Sequence, residues 1–427
     1  MIDSMHDLIP GGAHTYSKGD DQFPANAPRV LERGEGAYVW DDKDRRFLDW
    51  TMGLRTIALG YRNAKVIEAA VEQIWRGSNF GRPSAIEAQA AADLLVLLPK
   101  ADMVKFAKNG SNVTTAAVKL ARAYTGREMV AICSDHPFFS FDDWFIGTTV
   151  CDRGIPMTGR ELTVGFRYND LGSVEQLFND HPDRIAALIM EAATDHPPRN
   201  DFLNGIRDLC RKHGSLFILD EMITGFRWHN GGAQAYFDLD PDLSTFGKAM
   251  GNGFAVAAVV GKRDIMELGG LRHSERRVFL LSTTHGAENH ALAAARAVIR
   301  IYREEPVIER IWTAGRSLME GLNSVSRENG IADYLEAFGY PCSPYFVCKD
   351  ATGEPSAAFR TLLLQEMVRN GVLMTYIAPS TAHGDAEINA TLEAARKSCA
   401  VYARALNDRI DRFLEGPIVK PVFRRYN

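Results

Sequence analysis

Between about Lys105 and Val260, short continuous apolar runs alternate with longer stretches whose apolar positions recur at helical spacing, the pattern of a parallel sheet covered by helices. Ile185 to Met190 and Leu216 to Leu219 are runs of strand length with no polar face, as expected of strands buried on both sides. Each ends in acid, Glu191 after the first and Asp220-Glu221 after the second. Both carboxylates are therefore expected at the carboxyl ends of sheet strands, where open α/β sheets bind ligands. Ser84-Ala85-Ile86-Glu87 reads as a capping box and predicts a helix that runs to Leu98 and stops at Pro99. A second helix is predicted from near Asn112, with Val113, Ala116, Ala117, Leu120 and Tyr124 on one face, Lys119 and Arg122 on the other, and Gly126 closing it.

Beyond about Arg300 the pattern is helical, then strand-like at Gly371-Val372-Leu373-Met374, then a long amphipathic helix from about Ala386. Near the other end, Tyr38-Val39-Trp40-Asp41-Asp42 and Arg46-Phe47-Leu48-Asp49 read as a hairpin around a charged turn. The fold class expected is α/β, with a large domain over residues 51–300. A smaller α+β domain is expected from residues 1–50 and 301–427.

Length and composition fit this picture: 427 residues, 46% hydrophobic and 24% charged, enough to bury a core and enclose a site. The net charge of -5, from 49 basic and 54 acidic side chains, and the lack of a Lys/Arg run argue against nucleic acid as a partner. The first residues, Met1 to Asp7, are acidic and lack the basic then apolar order of a leader, and no apolar run approaches a membrane span, so a cytoplasmic protein is expected. The six cysteines show no C-x-x-C spacing, so neither a metal site nor a disulfide framework is signalled, and most are expected as buried free thiols.

Three separated pieces carry candidate chemistry. Asn109-Gly110-Ser111-Asn112 opens a helix with small residues, and free N–H groups at a helix start suit a phosphate, although an ordinary loop and cap would look the same. Asp220 at a strand end could hold a protonated pyridine nitrogen, or simply cap a helix. Thr245-Phe246-Gly247-Lys248-Ala249-Met250-Gly251 brackets a lysine with glycines 28 positions after Asp220. A lysine in a partly desolvated pocket can act as a nucleophile and form an imine, whereas most lysines stay in solvent.

Together these pieces resemble the class III (ω-type) aminotransferase family of fold-type I enzymes dependent on pyridoxal 5'-phosphate, and most nearly its glutamate-1-semialdehyde 2,1-aminomutase-like branch. The likeness extends over almost the whole chain. It includes Ile9-Pro10-Gly11-Gly12, Gly36-Ala37-Tyr38-Val39-Trp40-Asp41, Leu120-Ala121-Arg122-Ala123-Tyr124-Thr125-Gly126-Arg127, Leu219-Asp220-Glu221-Met222-Ile223-Thr224-Gly225-Phe226-Arg227 and Gly261-Lys262-Arg263-Asp264-Ile265-Met266. The resemblance implies a mainly parallel sheet of the seven-stranded type. It implies a Schiff base on Lys248, which would also move the proton between substrate and cofactor, with the cofactor alternating between pyridoxal and pyridoxamine phosphate. Asp220 is implied as the pyridinium partner, Met222 as the residue under the ring, and Gly110, Ser111 and Asn112 as the phosphate turn. Thr284 is implied to reach the phosphate of a neighbouring subunit, hence a homodimer with shared sites, and Glu191 to help order the site.

Several positions depart from the family pattern. Where Tyr-His-Gly is usual the chain reads Asp135-His136-Pro137-Phe138-Phe139, which puts His136, or failing it Phe138, over the ring. Asn112 replaces an acid. The arginine that meets the substrate carboxylate in the aminomutase branch is replaced by Ala13-His14-Thr15-Tyr16-Ser17-Lys18, leaving Lys18 and Arg55 as substrate candidates. The stretch Phe141 to Pro156, a small-residue gate in the mutase, carries Trp144 and Phe145. The reading favoured is an intermolecular aminotransferase that passes an amino group from an amino donor to an aldehyde or keto acceptor, a keto-sugar included. The alternatives are an intramolecular aminomutase, a racemase or epimerase, and a cofactor-binding protein without turnover.

Overall fold

The computed structural model describes residues 5–136 and 138–426; Met1–Ser4 of the acidic start and Pro137 of the altered aromatic motif lie outside the described residues. The chain divides into two compact units, one of Met1–Asn63 with Glu309–Asn427 and one of Ala64–Ile308.

The central unit is built on seven strands: β1 (Met103–Ala107), β2 (Met129–Cys133), β3 (Thr163–Phe166), β4 (Ile185–Met190), β5 (Leu216–Asp220), β6 (Leu243–Phe246) and β7 (Ala257–Gly261). They lie in the order β1-β7-β6-β5-β4-β2-β3. The run from β6 to β3 is parallel throughout, and β7 is antiparallel to both its neighbours. Every residue of β2, β4 and β5 is buried, which is why these strands are unbroken apolar runs. Glu191 and Asp220 stand at the carboxyl ends of neighbouring parallel strands, as the sequence pattern indicates.

Of the covering helices, α1 spans Ala64–Trp75, α2 Ala85–Leu97, α3 Gly110–Thr125 and α4 Asn289–Glu304. Ser84 N–H donates to Glu87 Oε1 at 2.8 Å, the backbone half of the box that starts α2. Helix α3 begins earlier than its apolar spacing suggests, because Asn109 Oδ1 accepts the N–H of Asn112 and caps it. Gly126, at φ 68°, closes the helix. Val113, Ala116, Ala117 and Leu120 are buried as expected, but Tyr124 is exposed. Its hydroxyl donates to Asp264 Oδ2 at 2.9 Å, so the ring stays at the surface with its polar tip paired.

In the other unit, Tyr38–Asp41 and Arg46–Asp49 form the expected hairpin, its turn held by Asp41 Oδ1, which accepts the N–H groups of Lys43 and Arg45. Val372–Leu373 adds in parallel to the second hairpin strand, so the two ends of the chain share one small sheet. Trp50, Leu318, Leu362, Met367 and Tyr402 are part of its core. None of the six cysteines is in a disulfide; five are buried and Cys151 is half-buried. No helix among the described residues is long and apolar enough to cross a membrane.

Candidate active site

The register of β5 against β6 pairs Asp220 with Thr245. Thr245 Oγ1 donates to Asp220 Oδ1 at 2.9 Å, and the N–H of Met222 donates to the same oxygen at 3.0 Å. Oδ2 takes part in neither bond. Burial pushes the Asp220 carboxyl up to about 6, opposed by the Lys248 charge and these two hydrogen bonds. A cationic donor at its open oxygen would favour the ionised form further. Lys248 follows Thr245 by three positions and opens a short turn, Lys248–Gly251. Its backbone is left-handed, φ 45°, a conformation that costs a non-glycine residue about 1–3 kcal/mol and tends to be kept where function needs it.

Met222 ties the second and third pieces of sequence to the first. A Cβ on Gly110 would stand 3.0 Å from Met222 Sδ, and one on Gly247 would stand 2.8 Å from the same sulfur. The start of α3, the residue after Asp220-Glu221 and the residue before Lys248 thus converge on one thioether, in a cradle that a methyl group would fill. Ser111 is buried, and its Oγ accepts the N–H of Phe141 at 3.0 Å, leaving the hydroxyl proton to be donated elsewhere. The next residues of α3 fasten the chain that follows: Thr114 Oγ1 donates to Phe139 O at 2.8 Å, Thr115 Oγ1 donates to Asp142, and Trp144 Nε1 donates to Thr115 Oγ1 at 2.8 Å.

His136 lies beyond the carboxyl end of β2 and is only 4% exposed. Its Nδ1 accepts the backbone N–H of Glu191 at 3.1 Å. The contact of Glu191 with His136 is made by its main chain. Nε2 of His136 is buried with no partner among the described residues. Burial holds this imidazole down at about 4, so the ring is neutral near pH 7. Tyr168 flanks it at 5.3 Å between ring centres and donates its hydroxyl to Ala192 O at 2.9 Å. Phe138, the other residue considered for the ring, is 44% exposed.

The remaining candidates are dispersed. Asn112 serves the cap of α3 with its N–H. Thr284 is exposed, in the loop leading to α4. Lys18, in the turn Tyr16–Lys18, is exposed, and Arg55, half-buried at φ 66°, lies over the rings of Tyr376 at 4.9 Å and Tyr345 at 5.6 Å; both belong to the unit of the chain ends. Thr245 and Tyr168 were not singled out in the sequence. The only signal for Thr245 was a hydroxyl residue shortly before the bracketed lysine, and Tyr168 gave none.

A buried acid with an oxygen to spare, a lysine beside it, a hydroxyl at a helix start and an orphaned ring N–H form a donor set that fits a planar aromatic cation bearing a phosphate. Fold and site define a pyridoxal-phosphate-dependent enzyme of fold-type I. The chain belongs to the class-III aminotransferase family, whose model matches residues 19–151 and 166–381. It is similar to the glutamate-1-semialdehyde 2,1-aminomutases of Thermomicrobium roseum, 32% identical over 95% of this chain and 98% of that protein, and of Natranaerobius thermophilus, 30% identical over 93% and 96%. Among solved structures it resembles the FumI protein of Sphingopyxis sp. MTA144 in its pyridoxal phosphate form, with a TM-score of 0.87 and 25% identity over 95% of this chain and 96% of that one. It also shares the fold of an omega-transaminase from Sphaerobacter thermophilus, TM-score 0.83, over 94% and 97% of the two chains.

Proposed function

We propose that the chain is an intermolecular aminotransferase, taking an amino group from one small molecule and handing it to the aldehyde or ketone of another. The observation that carries this reading is the packing of the segment that is a mobile gate in the mutase. Here Trp144 and Phe145 are buried, and the segment is fastened to α3 through Ser111, Thr114 and Thr115. A mutase must keep its intermediate behind a lid that opens and closes, whereas a transaminase must release one product before the second substrate enters.

Bound pyridoxal phosphate supplies an aldehyde carbon and a ring that accepts electrons. Lys248 would hold the group through Nζ and would serve as the base that moves the proton at the substrate α-carbon. Asp220 Oδ2 keeps the proton on the ring nitrogen while Oδ1 stays with Thr245 and Met222. Gly110, the Ser111 hydroxyl and the first N–H groups of α3, that of Asn112 being held by its cap, bind the phosphate. Met222 and His136 would hold the ring, and the Glu191 N–H fixes His136. Lys18 and Arg55 are the cationic candidates for the substrate carboxylate.

Thr284 completes the phosphate site of a second copy in a homodimer. Supporting a dimer, α1 exposes an apolar stripe of Ile67, Val71, Ile74 and Trp75 at helical spacing. The second reading, an intramolecular 2,1-aminomutase, is favoured by the names of the two relatives. A visible absorbance titration with single amino donors separates the two. Conversion to the pyridoxamine form by one donor, reversed by a separate carbonyl compound, supports transfer between molecules. A protein that converts with no donor yet isomerises one amino aldehyde by itself is a mutase.

A further inference from the structure

His136 brings more than an aromatic ring to the carboxyl edge of the sheet. Its Nδ1 lone pair is occupied by the Glu191 N–H, so the single proton of the neutral ring sits on Nε2. That nitrogen is buried and has no partner among the described residues. Buried donors in native proteins are paired, so a lone one marks the place of a ligand atom or an ordered water. The position is also apt: β2, β4 and β5 lie side by side, so His136, Glu191 and Asp220 follow one another along the carboxyl edge of the sheet. A phenol could both give and take a hydrogen bond, whereas this tautomer can only give at Nε2. It therefore selects for an acceptor oxygen and against an ammonium group. The carboxylates of Asp135 and Asp195 favour a second proton on the ring, but burial outweighs them.

We propose that His136 is a specificity-determining residue whose Nε2–H donates to a carboxylate oxygen of the bound substrate. The inference rests on the pyridoxal phosphate reading of the site and adds an oxygen subsite to it. A carboxylate is the favoured acceptor because Nε2–H can only give a hydrogen bond, and a charged oxygen gains most from a buried donor.

Two carbonyl reagents test this without a known substrate. Aminooxyacetate and methoxyamine both react with bound pyridoxal phosphate, and only the first carries a carboxylate. Their affinities are read from the change in cofactor absorbance for the wild-type holoenzyme and for His136→Phe, which keeps an aromatic ring and loses the donor. The wild type should prefer aminooxyacetate, and His136→Phe should lose about tenfold of that preference while still holding the cofactor, the size of one hydrogen bond to a charged group. His136→Gln, which retains a donor, should recover part of it.

Nitrogen NMR of the histidine ring provides a second reading that needs no variant. The proton should be on Nε2, and its signal should move further with aminooxyacetate than with methoxyamine. An unchanged preference in His136→Phe, a proton on Nδ1, or a signal that moves equally with both reagents or with neither overturns the proposal. A wild-type protein that shows no cofactor absorbance with pyridoxal phosphate overturns the underlying reading instead.

Discussion

Asp220 is buried, and the Lys248 charge and two hydrogen bonds only partly offset that burial. Without cofactor, Asp220 holds its proton up to about pH 6, well above an ordinary carboxyl. The folded state therefore keeps a proton that the unfolded chain releases between about pH 4 and 6. This contribution to stability is present below that range and lost as pH rises through it. Cofactor binding runs the opposite way, because a protonated ring nitrogen needs the carboxylate. Affinity for pyridoxal phosphate should fall as the pH drops below about 6, and Asp220→Asn should bind more weakly and lose that slope in a fluorescence titration. Asp220 and Lys248 were legible in sequence because an acid closing an apolar strand and a lysine between glycines are local features. Thr245, Tyr168 and the main-chain role of Glu191 were not, since each acts through sheet register that brings distant residues side by side.

At the scale of elements, the site depends on close approaches that only glycine permits. A Cβ at Gly247 would press on Met222 Sδ at 2.8 Å and also stand 3.1 Å from its Cε. Gly247→Ala should displace the thioether from the cofactor's side of the cradle, and we expect about a tenfold weaker cofactor affinity with the melting temperature of the cofactor-free protein little changed. Helix α3, proposed above as the phosphate turn, also fastens the segment Phe139–Trp144. Thr115→Val removes the partner of Trp144 Nε1 and of Asp142, so the Phe139–Trp144 segment should be cut faster by protease, while pyridoxal phosphate binding is retained. The strands Ile185–Met190 and Leu216–Asp220 and the capped helix after Ser84 were readable from apolar runs and cap residues. Tyr124 was not, because helical spacing assigns its ring to the core while its hydroxyl finds Asp264 outside.

Over the whole molecule, the apolar spacing indicated a mostly parallel sheet but not its antiparallel β7, since β7 is as apolar as its parallel neighbours and direction leaves no mark on composition. The hairpin and the strand-like run at residues 371–374 were each legible, but not their pairing in one small sheet, since nothing local joins residues more than 300 positions apart. The exposed stripe on α1, with Trp75 87% exposed, is what a buried subunit interface would look like in an isolated chain. If this stripe is a subunit interface, Val71→Ser combined with Trp75→Glu should leave the protein monomeric in light scattering, and if Thr284 serves the phosphate site of a second copy, turnover should fall with it.

The central claim is that Lys248 holds pyridoxal phosphate for amino transfer between molecules. Its most direct test is the visible absorbance of the purified protein with the cofactor, followed while single amino donors and then carbonyl acceptors are added, beside Lys248→Ala. The wild type should show a shifted cofactor band that one donor bleaches and an acceptor restores, and Lys248→Ala should lack that band and lose about 10²–10⁴-fold in turnover. A Lys248→Ala protein with the same band and the same donor response would contradict the account.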